Sequence, residues 1–259
     1  MTKARTAGTT AAESEFAERG RLTRGAALAS VAVATTLLAL KGYALWQTQS
    51  VAVLGSFADS ALDLVASLVT LMGVHWAAQP ADEEHRFGHG KAEALASLFQ
   101  VTLITMAAIG LAWESVHRLI VGTHEITGAA EGIGVSLVAI LLSIALVLYQ
   151  KRVIARTGSL AIGTDNLHYK SDFYLNLSVI VALVLNQFFG MSGVDPLFGI
   201  GIALWLAWSA LKAASEAVDH LMDKEWSLAE RQHFLEVASR HPQLRGIHDM
   251  RTRSSGAHR

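Results

Sequence analysis

The chain has 259 residues, of which 52% are hydrophobic and only 17% charged, with a formal net charge of −1 and a mean hydropathy of +0.36. A charged fraction below the roughly 25% of soluble domains points to a membrane protein, and a charge so near zero supplies no basic field for nucleic acid. The absence of cysteine excludes disulfides and thiolate metal sites, and a sulfur-rich copper site would have to rest on the six methionines.

Residues 1–23 are polar and carry Glu13, Glu15 and Glu18. They hold no apolar core, so they are not a cleavable signal peptide, and the sequence predicts a flexible cytoplasmic tail. A spanning helix needs about 20 mainly apolar residues. Six windows meet that length within residues 24–220: Gly25–Trp46, Val51–Ala77, Ala92–Ile120, Ala130–Val153, Leu160–Phe189 and Pro196–Val218. The first closes on Tyr43 and Trp46, an aromatic interface signature. The expected fold is therefore an all-α membrane protein with six transmembrane helices.

The connections orient it. Gln47–Ser50, Val121–Gly128 and Gly190–Asp195 contain no Lys or Arg. The other side carries Arg19, Arg21, Arg24, Arg86, Lys91, Lys151, Arg152, Arg156 and Lys224. Basic residues favour the cytoplasmic side, which places both termini there. Residues 221–259 are polar. Ser227 and Glu230 are spaced for a capping box that opens a helix over Leu228–Arg240, ended by His241-Pro242. Gly246–Arg253 is expected to form one strand. One helix and one strand bury no core, so this segment reads as an incomplete α/β cytoplasmic tail.

Two of the spanning windows carry charge. Asp59 and Asp63 sit four residues apart in the second, and His168 and Asp172 share that spacing in the fifth. At this spacing the members of each pair share one helix face. Asp59 lies about eight residues inside its helix, roughly 12 Å at the α-helical rise, and His168 lies similarly deep from the opposite side, so the pairs can meet near mid-membrane. Polar residues bonded to each other for packing would also fit. Ionisable groups inside a membrane usually mark ion or proton paths, however, and three carboxylates with one imidazole form a tetrahedral ligand set for zinc or a similar divalent ion. Because ligands shed protons to bind metal, the same groups can exchange the two.

In the loop Gln79–Glu93, Asp82, His85 and His89 are spaced for a second metal site, although a solvated acidic loop would read the same way. His248 has His220, His233 and His241 nearby in sequence and otherwise reads as a surface histidine. Lys41 and Glu114 sit inside the first and third windows. Neither is assigned a role.

The DSxxD element (Asp59, Ser60, Asp63), the HxxxD element (His168, Asp172) and the stretch QPADEEHRFGHGKAEALA together resemble the cation diffusion facilitators. Within that family the likeness is to bacterial zinc/proton antiporters, and it runs from about Arg24 to Arg253. The resemblance implies that Asp59, Asp63, His168 and Asp172 form the transport site, and that Asp82, His85 and His89 form a cytoplasmic loop site. It implies that His248 is the first histidine of a cytoplasmic zinc cluster, and that Lys91 and Asp223 form a salt bridge supporting a homodimer. Leu167 matches an apolar gate residue. The family's cytoplasmic α/β domain would be truncated here, its further cluster ligands missing.

The expected function is divalent cation efflux at a bacterial inner membrane by zinc/proton antiport. Alternatives are a transporter of manganese, iron(II) or cadmium, or a non-transporting metal-sensing partner subunit. An intramembrane metallohydrolase finds no support, because the chain has no HExxH motif and no obvious Ser/Lys pair in its helices, and four ligands could close the site; no enzyme is expected.

Overall fold

The computed structural model describes residues 2–48, 51–121, 129–189, 194–244 and 246–254. Six long helices are present: α1 (Thr2–Thr48), α2 (Val51–Ala77), α3 (Ala92–Val121), α4 (Ala129–Thr157), α5 (Leu160–Phe189) and α6 (Val194–Leu221). A short α7 (Leu228–Ser239) comes after them. Five of the long helices contain stretches long and apolar enough to cross a membrane, within α1, α2, α3, α4 and α6. At 30 residues α5 has the length, but Asp165, Lys170 and Asp172 make its first half polar.

The sequence placed both ends of α2 and of α5. It missed the start of α1, which is helical from Thr2 where a separate tail was expected. The reason is local. Ala, Glu and Arg favour helix, Arg19 pairs with Glu15 one turn back at 2.6 Å, and Phe16, Gly20 and Thr23 lie beside Val74, Ala77 and Ala78 of the α2 end. The three connections without Lys or Arg fall largely on residues 49–50, 122–128 and 190–193, outside the described residues.

α3 packs along α6, α1 along α2, and α4 along α5. Contacts of α1 with α4 and of α2 with α5 close those four helices into a bundle, and α2, α3 and α5 join it to the α3–α6 pair. Small residues set the spacing: Ala26, Ala27, Ala96 and Ala161 surround Val74, Val153 and Ile162 in a buried cluster. Close approach of this kind drives helix association in lipid, where no hydrophobic force does so. The surface is inverted relative to a soluble protein. Trp113, Ile120, Trp208 and Leu211 face outward, while Gln100, Gln150 and Asp165 are buried. Outward-facing apolar side chains suit hydrocarbon, and buried polar groups must then find partners within the protein.

Near one end of the bundle, Gly158 ends α4 at φ +64°, a left-handed conformation that glycine adopts without steric cost, and its N–H bonds back to Ile154 O at 2.8 Å. After α6 the chain reaches α7, whose Ser227–Glu230 capping box forms as the sequence predicts. The strand expected at Gly246–Arg253 does not form, and no strand occurs among the described residues. A strand needs a neighbour to complete its hydrogen bonds. Here Trp226 instead holds the segment, through Thr252 Oγ1 at 3.0 Å and Arg253 O at 3.1 Å.

At Gly73 a Cβ would lie 2.4 Å from the Cβ of Ala96 and 3.1 Å from Ala92 O. Neither neighbour is a flexible side-chain end, so α2 and α3 would have to part. Gly73→Val is expected to cost about 1–3 kcal/mol and to lower the Tm of the detergent-solubilised protein in a thermal melt. An unchanged Tm would show that the α2–α3 contact is loose.

Candidate metal centre

The i, i+4 pair His168–Asp172 lies on the face of α5 that meets α2. His168 Nε2 stands 2.9 Å from Asp63 Oδ1 and 3.7 Å from Asp172 Oδ2. One ring nitrogen has at most one hydrogen to offer, so the protein alone satisfies these two carboxylates poorly. Tetrahedral N and O ligands around zinc stand roughly 3.3 Å apart, and the two distances bracket that value. The three side chains are partly exposed, at 14% for His168, 21% for Asp63 and 28% for Asp172, so a small ion can reach them.

Asp59 is the fourth predicted member, and the structure does not bring it in. It is exposed, one turn away from Asp63 on α2, and outside the group whose ligand atoms lie within 4.8 Å of one another. Sequence spacing gave the shared face, but one helical turn is a 5.4 Å step. Lys41 of α1 donates to Ser56 O at 3.2 Å.

The loop between α2 and α3 forms a second cluster. Asp82 Oδ1 is 3.4 Å from His85 Nδ1, and Asp82 Oδ2 is 3.4 Å from His89 Nε2. The backbone N–H of His85 donates to Asp82 Oδ1 at 2.5 Å. That bond holds the Asp82 carboxyl below its ordinary range, so it is ionised at neutral pH and ready as a cation ligand. Gly88, at φ +77°, turns the chain so that His89 reaches back. His248 is exposed and belongs to neither cluster among the described residues.

A family model described as "Cation efflux transmembrane domain" matches residues 27–222. Proteins named cation-efflux pump FieF from Salmonella newport, Salmonella typhimurium and Salmonella arizonae are each 42% identical over 237 residues, covering 92% of this chain and 78% of the relative. The chain belongs to the cation diffusion facilitator family. It is a divalent metal cation efflux transporter, not an enzyme. It is a multi-pass integral protein of the bacterial inner membrane.

For a cation diffusion facilitator, the residues that the sequence overlooked matter as much as those it found. Asp165, Gln100, Gln150, Ser30 and Tyr169 are buried in the same bundle. The signal was available: Asp165 lies three residues before His168, and an acid inside a membrane helix calls for a named partner. Glu93 was also missed. Buried at the start of α3, its Oε2 accepts Ser159 Oγ at 2.7 Å and the N–H of Leu160 at 2.9 Å, capping the N-terminus of α5 where a negative charge is favoured. Leu167 packs between α5 and the α3–α6 cluster. Lys91 Nζ meets Asp223 Oδ1 at 3.0 Å and Leu221 O at 3.0 Å, so this ion pair forms within one chain and closes the end of α6.

The two clusters should be separable by metal analysis. Combined His85→Ala and His89→Ala is expected to remove about one zinc equivalent per chain and Asp63→Ala about one other, read by elemental analysis of protein dialysed after loading. If both variants retain the parent's content, neither cluster binds metal.

Proposed function

We propose that this transporter exports zinc from the cytoplasm in exchange for protons by alternating access. Asp63, His168 and Asp172 hold the ion, and Asp59 enters as the fourth ligand. The observation that carries this reading is the convergence of two carboxylate oxygens on His168 Nε2 inside a membrane bundle. Imidazole and carboxylate donors without sulfur suit zinc. They must lose protons to bind it and can take protons when it leaves, so metal release and proton uptake are linked at the same atoms. The relatives' name, cation-efflux pump, supports the direction of transport.

Under this reading the end of the bundle with Gly158 and the loop cluster is cytoplasmic, because the basic residues gather there. The exposure of Asp59 beside the burial of Asp165 then means a site open away from the cytoplasm. Asp82, His85 and His89 form a cytoplasmic site that takes the same ion. The chain acts as a homodimer, and the Lys91–Asp223 pair braces each protomer at the membrane surface. His248 lies outside this assignment.

Zinc flux into liposomes under an imposed pH gradient tests the proposal. Flux by the wild-type chain should require the gradient and fall on the order of a hundredfold or more in Asp63→Ala. Flux that survives the substitution would overturn the site. Manganese, iron(II) or cadmium outcompeting zinc would change the ion, and zinc binding without flux would favour a metal-sensing partner subunit.

A further inference from the structure

One carboxylate takes no part in the metal centre. Asp165, fully buried on α5, accepts Ser30 Oγ of α1 at 2.5 Å and Gln150 Nε2 of α4 at 2.7 Å on Oδ2, and Gln100 Nε2 of α3 at 2.9 Å on Oδ1. The donors are themselves linked. Gln150 Nε2 also donates to Ser30 Oγ at 2.9 Å, and its Oε1 accepts Asn166 Nδ2 at 3.0 Å. Gln100 Nε2 donates to Thr70 Oγ1 of α2 at 2.5 Å. Tyr169 OH donates to Ser30 O at 3.0 Å and shares a hydrogen bond with Ser67 Oγ of α2 at 3.0 Å. One layer of side chains thus ties α1, α2, α3, α4 and α5 together. It lies between the His168 cluster and the end of the bundle that holds Gly158.

We infer that Asp165 is a positioning residue that seals the metal centre against the cytoplasm: its one carboxylate gathers α1, α3 and α4 onto α5, and an ion reaches His168 from that side only when these hydrogen bonds break together. The inference rests on the transport reading for which end is cytoplasmic. A carboxylate suits the task better than an apolar plug. When the layer is closed and dry, three donors satisfy it, and charge-assisted bonds are roughly twice as strong as neutral ones. When the helices part, water solvates the charge instead. The half-open layer is the costly state, since a buried charge missing some of its donors pays the full penalty of desolvation. Two stable arrangements with a poor intermediate make a switch.

The absence of cysteine makes a direct test available. Ala66 is buried on α2, one turn beyond Asp63 toward the layer, so Ala66→Cys places the only thiol behind the seal. The full chain is reconstituted in vesicles of known orientation and labelled with a membrane-impermeant methanethiosulfonate from each side. With Asp165 intact, the thiol should be protected from the cytoplasmic side. Adding Asp165→Ala should raise the cytoplasmic labelling rate on the order of tenfold or more, the shift expected from losing even one charge-assisted hydrogen bond, without raising the rate from the other side. Asp165→Asn keeps the shape and one acceptor oxygen, so it should give a smaller rise and still reads out if the alanine variant does not fold. Unchanged labelling in the folded variants, or an equal rise from both sides, overturns the seal. Zinc flux in the same vesicles reports separately: absent flux with the expected labelling pattern would refute the transport reading and leave the seal supported.

Discussion

Charge in hydrocarbon must be answered from within the protein, and this bundle answers its intramembrane acids in two different ways. Asp165 receives three neutral donors from three helices and is complete. Asp63 and Asp172 face a single imidazole nitrogen and are not. The first arrangement binds helices, and the second leaves room for a guest cation. Asp165 precedes His168 by three residues, about one helical turn, on α5, which puts a saturated site directly beneath an unsaturated one. Any movement of α5 that serves one must be accommodated by the other.

The packing around them is what makes that proximity possible. Alanines and Gly73 bring α2, α3 and α5 close enough for side chains as short as serine and threonine to reach across. Larger residues would hold the helices apart and leave the amides of Gln100 and Gln150 without an acceptor. The outward surface makes no such demands, and large apolar residues there meet lipid instead.

Much of this was legible in the sequence, because hydrophobic length and charge are one-dimensional signals. The bounds of α2 and α5 came from apolar length, the capping box at Ser227 from spacing, and the meeting of Asp63 with His168 and Asp172 from spacing together with the depth of each pair in its helix. Asp59 did not, because spacing reports the shared face of a helix and not which turn meets the neighbour. The Asp165 layer escaped for a related reason. Gln100, Gln150 and Ser30 are single polar residues on three separate helices, and only the three-dimensional packing makes them one cluster. The strand expected near the end of the chain failed because a strand is a property of two segments, and a sequence window shows one.

Glu93 carries a consequence for motion. Its carboxylate grips the first turn of α5 from the first turn of α3, and it lies only four residues beyond His89 of the loop cluster. The base of α5 is therefore pinned to the same short stretch of chain that presents the loop ligands. If α5 slides or tilts, that stretch travels with it, much as a rudder post carries its tiller. The loop and the helix bearing His168 and Asp172 share one mechanical anchor, although the two clusters have no ligand in common.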